Sequence, residues 1–224
     1  MRMAVGRIVD LSHPIGPQTQ VYPGDEPPEI SPACGLAADG YNSVRVRMGS
    51  HTGTHADAPY HFLADGPRLD ELPLELFTGP AVVVDATGLG PRTAIGPEAL
   101  EPWADLLVPG AAVLVRTGWD RYYGTERYHD HPYLAAETAR ALVERGVRTL
   151  GVDTLSPDQT PYGGVEADDW SAHHAVLGAG GTIIENLCRL DRIDFADPWF
   201  CAFPIRLASG DGAPVRAVAL DRRD

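Results

Sequence analysis

Cysteine is scarce in these 224 residues: Cys34, Cys188 and Cys201 stand far apart and form no CxxC pair. An odd, sparse count points to reduced thiols in a reducing compartment and away from a disulfide framework. Basic residues are few as well, 18 against 31 acidic ones, for a net charge of −13. Nucleic-acid binding needs clustered Lys and Arg to displace counterions, and no such run occurs. A basic patch for anionic lipid is missing too, so the acidity reads as a solvated surface. No run of 18 apolar residues is present, and the opening MRMAVGRIVDLSHPIG lacks the apolar stretch of a signal peptide. No membrane span is expected, and a cytoplasmic location is. A G-x-S-x-G elbow is also absent, which removes that route to a serine nucleophile.

What remains is an ordinary globular composition, 44% hydrophobic and 22% charged. A chain of this length can bury a full core by itself, so any metal it binds is free to serve chemistry. One domain over residues 1–224 is expected. Short runs rich in Val, Ile and Leu, bounded by Gly, Pro or Asp, predict strands at Arg7–Leu11, Ser43–Met48, Ala81–Asp85, Ala112–Arg116, Thr149–Asp153 and Thr182–Leu187. Phe200–Leu207 and Pro214–Leu220 predict two more. Ser43–Met48 alternates cleanly, which implies one buried and one wet face. Helices are fewer: Leu134–Arg145 carries an apolar stripe and is stopped by Gly146, and Ser171–Leu177 runs into Gly178-Ala179-Gly180-Gly181. A short third helix begins at Pro97. Strands interspersed with a few helices predict a mixed α/β domain with long loops of Gly and Pro.

The chemistry concentrates at Gly49–Phe62, which reads G-S-H-T-G-T-H-A-D-A-P-Y-H-F. His51, His55, Asp57 and His61 offer imidazole and carboxylate at offsets 0, 4, 6 and 10, a set that suits zinc, manganese or iron. A three-ligand site leaves coordination positions for water and substrate. Fully extended, His51 and Asp57 would lie roughly 20 Å apart, too far for one ion. The chain must therefore curl, with Gly53 giving the freedom and Pro59 opposing a continuous helix. Elsewhere, His129 and His131 in Y-H-D-H-P are expected at the surface, and His13 in a structural turn. Glu185, in the apolar run T-I-I-E-N-L, needs either a metal or a base such as Arg189 or Arg206.

The stretch H-T-G-T-H-A-D-A-P-Y-H resembles the signature of the cyclase-like metal hydrolases, a family that includes bacterial kynurenine formamidases and isatin hydrolases. Four further segments extend the resemblance in order: D-L-S-H-P-I (Asp10–Ile15), V-Y-P-G-D (Val21–Asp25), G-V-D-T-L-S-P-D (Gly151–Asp158) and H-H-A-V-L-G-A-G-G-T-I-I-E-N-L (His173–Leu187). The resemblance implies a mixed-sheet, swivelling β/β/α domain and a homo-oligomer, dimer or tetramer. Residues about 14–32 would then form an arm toward a neighbour or over the site. It further implies one or two Zn²⁺ ions, Mn²⁺ being an alternative. His51, His55 and Asp57 would hold the first ion, with Asp57 bridging to a second held by His173 and Glu185. His173 is the better match than its neighbour His174, because the family spaces this pair twelve residues apart. His61 resembles the catalytic histidine and not a ligand, and Asp153 and Ser156 resemble residues that orient ligands or line the pocket.

The reaction implied is attack of metal-activated water on a small-molecule amide, with His61 passing a proton to the leaving group. N-formylkynurenine, yielding kynurenine and formate in tryptophan catabolism, is the expected substrate. Tyr22, Tyr60, Phe62, Trp119 and Trp170 are candidates to hold its aryl ring, with Ser156 beside them. The alternatives are opening of a cyclic amide or lactone in secondary metabolism, and a metal-binding module without turnover.

Overall fold

Apolar runs with turn-forming ends pair into sheet, and in the middle of this chain both faces of that sheet are covered. The computed structural model describes residues 4–166 and 169–223. In chain order it contains β1 (Ala4–Asp10), β2 (Glu29–Cys34), α1 (Leu36–Asp39), β3 (Ser43–Arg47), β4 (His55–Asp57), β5 (Thr78–Asp85), β6 (Ala94–Ile95) and β7 (Ala112–Arg116). There follow β8 (Tyr133–Leu134), α2 (Ala136–Glu144), β9 (Thr149–Val152), α3 (Ser171–Gly178), β10 (Thr182–Glu185), β11 (Pro198–Cys201), β12 (Gly212–Pro214) and β13 (Val218–Arg223). A 3-10 helix starts at Pro97, as expected for proline in a first turn.

Among the described residues one large sheet has the order β1-β13-β11-β5-β7-β9-β10-β4-β12. Its centre, β5 to β10, is parallel. Antiparallel strands flank that centre on both sides. The expected mixed α/β domain is the one observed. Side-chain alternation splits the central strands between two cores. Val113, Val115, Leu150, Val152 and Ile183 pack with Ala139 and Leu142 of α2 and Val176 and Leu177 of α3. Leu114 and Ile184 face the other way, against Ala56 and Phe200. Strands covered on both faces read as unbroken apolar runs, which is why they were visible in the sequence. Each such aliphatic side chain stabilises the fold by about 1.5–3 kcal/mol.

Both helices stop where their glycines predict. At the end of α2, Val147 N–H donates to the Leu142 carbonyl and Gly146 N–H to that of Val143. At the end of α3, Gly181 and Gly180 repeat the pattern on Val176 and Leu177, so each helix closes in a Schellman motif.

Three expectations are corrected. β3 alternates, with Val44 and Val46 opposite Pro32 and Ile30, but it pairs only with β2 and all of it is exposed. Among the described residues nothing covers that face. The run Phe200–Leu207 stops being strand at Cys201, because Pro204 lacks the N–H that a continuing ladder needs, and Phe203, Ile205 and Leu207 are exposed. Finally, His129 and His131 are buried, not superficial.

His131 is 1% exposed. Its Nδ1–H donates to the Pro132 carbonyl at 2.8 Å, and its Nε2 accepts from the Thr160 hydroxyl at 2.8 Å, the two roles a neutral imidazole can fill. Burial pushes its pKa down to about 4, against the opposing pull of the Pro132 carbonyl. A pKa lowered on folding means the contribution is full above the unfolded value near 6.5 and is lost as pH falls toward about 4. A shift of that size corresponds to about 3 kcal/mol. Urea unfolding at pH 7 and pH 4.5 should show a smaller acid loss in a His131→Gln variant than in the parent; equal losses would remove His131 from the account.

Candidate metal centre

Gly53 makes the predicted curl, with φ of +66°, a conformation costly for other residues. The chain then runs extended through β4, where alternate side chains share a face. His55 and Asp57 therefore point together, while Ala56 turns into the core behind them. β10 lies antiparallel to β4 with Glu185 opposite His55, which brings the late carboxylate beside the early imidazole. α3 delivers His173 from above: it is buried and faces the group, whereas His174, one helical step away, is exposed.

Asp57 is the hub. His51 Nδ1 stands 2.8 Å and His55 Nε2 3.3 Å from its Oδ1, and His173 Nε2 lies 3.6 Å from its Oδ2. Glu185 closes the group, with Oε2 3.4 Å from His55 Nε2 and Oε1 3.3 Å from His173 Nε2. The outer nitrogens are fixed. His55 Nδ1–H donates to the Gly53 carbonyl at 2.8 Å, and His173 Nδ1–H to Asp158 Oδ2 at 2.6 Å. Asp158 also accepts from the backbone N–H groups of Ala172 and His173, so it holds both the helix start and the ring. Pinning one nitrogen leaves the other directed at the shared space, the arrangement that orients histidine toward a metal.

Two sets of donors meet at Asp57, His51/His55/Asp57 and Asp57/His173/Glu185, and His51, His61 and Asp211 form a third beside them; the atoms of each set lie within 4.8 Å of one another. Asp57 is fully buried, yet its Oδ2 has no hydrogen-bond partner. Leaving a buried acceptor unsatisfied costs about 1–3 kcal/mol, and more when it is charged. A divalent cation would satisfy it, so the residues present fit such an ion. The electrostatics agree. Burial opposes charge on His51, but Asp211 and Asp57 lift its pKa to about 10. Burial likewise opposes charge on His173, and Asp158, Asp57 and Glu185 raise it well above the usual imidazole range. Burial would raise Asp57, but His55, His173 and His51 hold it well below the usual carboxylate range. The cluster calls for positive charge, which protons or a metal can supply.

His61 stands apart from that hub. It ends a 3-10 turn (Pro59–His61), stacks on His51 with ring centroids 3.9 Å apart, and places Nδ1 3.7 Å from Asp211 Oδ2. A cavity of about 430 Å³ opens in front of it. Tyr22, Phe62, Leu155 and Trp170 give that cavity apolar walls, and Ser156 and Asp25 line it as well. Of the residues expected to contact substrate, Tyr22, Phe62, Trp170 and Ser156 line this cavity. Tyr60 does not: it lies outside the lining, with Arg68 4.1 Å over its ring. In a 3-10 turn successive side chains diverge by about 120°, so Tyr60 and His61 cannot face the same space. Trp119 is a core residue, 1% exposed. Asp153 is withdrawn too: its carboxylate accepts from Thr117 and Gly118, and burial still pushes its pKa up to about 7. Glu185 meets histidines and neither arginine; Arg189 instead reaches Asp10 and the Ser12 carbonyl.

Three contributors escaped the sequence reading. Asn186 donates to the Gly53 carbonyl and accepts from the Tyr128 hydroxyl, bracing the turn behind the site. Asp158 stood at the end of a recognised motif without an assigned part. Asp211 gave one faint signal, its place between Gly210 and Gly212.

Fold and donor set together define a class: mixed α/β proteins built to hold a divalent metal beside a small-molecule cavity. The chain belongs to the Cyclase family, whose model matches residues 9–159. It is 33% identical over 218 residues to the kynurenine formamidase of Bacillus cytotoxicus, a match covering 96% of this chain and 98% of that protein. The Bacillus cereus kynurenine formamidase matches over the same shares at 33% identity. Among solved structures, isatin hydrolase A from Labrenzia aggregata superposes with a TM-score of 0.86 at 28% identity, over 96% of this chain and 93% of that one. The Ralstonia solanacearum isatin hydrolase A follows at 0.85 and 27%, over 96% and 91% of the two chains.

Proposed function

We propose that this chain is a metal-dependent amidohydrolase that cleaves an aryl formamide, N-formylkynurenine to kynurenine and formate. The observation that carries the reading is Asp57: one oxygen faces His51 and His55, and the other, buried and without a hydrogen bond, faces His173. We assign His51, His55 and Asp57 to one ion, and Asp57, His173 and Glu185 to a second. The imidazole and carboxylate donors suit Zn²⁺ first and Mn²⁺ next. A divalent ion held there supplies Lewis acidity and a water acidified toward neutrality.

The chain's own groups do the rest. Tyr22, Phe62 and Trp170 flank the substrate's ring, since a planar apolar group fits a cavity with aromatic walls. Ser156 offers the cavity a hydroxyl. His61, more exposed than the ligand set, takes a proton from the water as its oxygen bonds to the formyl carbon and passes it to the departing nitrogen as the C–N bond breaks, releasing the arylamine and formate. Three free thiols fit a reducing, cytoplasmic setting. We also assign a homo-oligomer, because the uncovered Val44/Val46 face of the β2–β3 hairpin fits a second copy of the chain; sedimentation velocity should find more than a monomer.

Metal-stripped protein, reconstituted with Zn²⁺ or Mn²⁺, should release kynurenine from N-formylkynurenine and do nothing before reconstitution. Turnover of isatin or a lactone alone would transfer the assignment to cyclic amides, a reading favoured by the isatin hydrolase neighbours. Metal uptake with no turnover of any of these would leave a binding module.

A further inference from the structure

The loop that enters β12 brings a carboxylate to the open side of the cluster, and neither the donor sets of the hub nor the proton carrier accounts for it. Asp211 Oδ2 lies 3.1 Å from His51 Nε2 and 3.7 Å from His61 Nδ1. The two rings it touches are stacked on each other at 3.9 Å. The backbone holds this carboxylate firmly. Ala58 N–H donates to the Asp211 carbonyl at 2.8 Å, Leu69 N–H donates to that of Gly210 at 2.8 Å, and Gly212 pairs with Asp57 in the sheet. Gly212 is also what permits the approach. A Cβ there would sit 2.7 Å from His51 Cε1 and 2.8 Å from the Ala56 carbonyl, so any side chain would displace the ring.

We propose that Asp211 is a positioning residue with two roles: it fixes His51 as a ligand and keeps His61 against it. His51 needs such a partner more than the other imidazoles do. His55 is anchored through Nδ1 by the Gly53 carbonyl and His173 by Asp158, whereas the remaining nitrogen of His51 has Asp211. With Nε2–H donating to Asp211, Nδ1 is the nitrogen that faces Asp57 Oδ1, at 2.8 Å, and the one whose proton a bound cation would replace. Tying ligand and proton carrier to one carboxylate makes their geometry interdependent, so disturbing Asp211 should be felt at the metal and at the proton step together.

The inference rests on the metal-centre reading above, and the test separates the two. Stripped parent, Asp211→Ala and Asp211→Asn are each titrated with Co²⁺, following visible absorption and bound metal, and then assayed at saturating metal. Ala should weaken one metal equivalent by about 10–100-fold, the usual effect of losing a carboxylate behind a ligand histidine, and leave the equivalent at His173 and Glu185 unchanged. It should also lower kcat with little change in KM. Asn, whose amide oxygen can still accept from a ring N–H, should recover part of both. Parent-like Co²⁺ binding and kcat in the Ala variant would overturn the inference, as would equal weakening of both equivalents accompanied by a lower Tm. A parent that takes up no metal defeats the metal-centre reading instead. The side chain is 39% exposed, so its removal leaves the core intact.

Discussion

Asp57→Asn should empty the centre and reduce kcat/KM by at least about 10³-fold, equivalent to the several kcal/mol of charge stabilisation that a bound metal supplies. The substitution keeps the size of the side chain and removes its charge. Asparagine offers one acceptor oxygen and a pair of N–H donors, so it cannot present an oxygen to each side of the hub. One face of the new amide would aim hydrogens at imidazole nitrogens that need an acceptor. Metal retained after desalting, measured by atomic emission, should fall below one equivalent per chain. The metal-free fold should lose stability as well, because the buried imidazoles of His51 and His173 lose an anionic partner that asparagine does not replace. A variant with the parent's metal content and rate would end the assignment of Asp57 as the hub.

His61→Ala should behave differently, and the contrast is what separates proton carrier from ligand. The expected loss is about 10²–10⁴-fold in kcat, the range for removing a positioned acid–base group. Bound metal and KM should stay near the parent's, because His61 lies outside the two donor sets that share Asp57; its own grouping, with His51 and Asp211, is the alternative that the metal content tests. Its side chain is 30% exposed, so no cavity opens in the core. Loss of metal in step with activity would make His61 a ligand.

The central strands were readable because burial on both faces writes an unbroken run of Val, Ile and Leu, as at Ala112–Arg116 and Thr149–Val152. Helix ends were readable because only a few residues accept the backbone needed after the last turn. The exposed β3 was misread in its burial because alternation reports which side chains share a face and says nothing of what covers it. His131 was misread because a polar neighbourhood in sequence does not reveal the Thr160 hydroxyl that makes its burial tolerable.

His51, His55, Asp57 and His61 declared themselves by local spacing, since the turn at Gly53 and the two-residue period of β4 are short-range properties. His173 and Glu185 were legible only through resemblance, because Glu185 reaches Asp57 through β10 lying antiparallel to β4 and His173 through the seat of α3. Beyond its place between two glycines, Asp211 was left to the tertiary structure. A single carboxylate 160 residues from its histidine has no spacing to read, and only the pairing of β12 with β4 carries it to the ring. The sequence by itself determined the turn at Gly53 and the spacing that gathers His51, His55 and Asp57. The sheet decided which distant carboxylates complete and orient the set, because strand pairing alone sets contact across such separations.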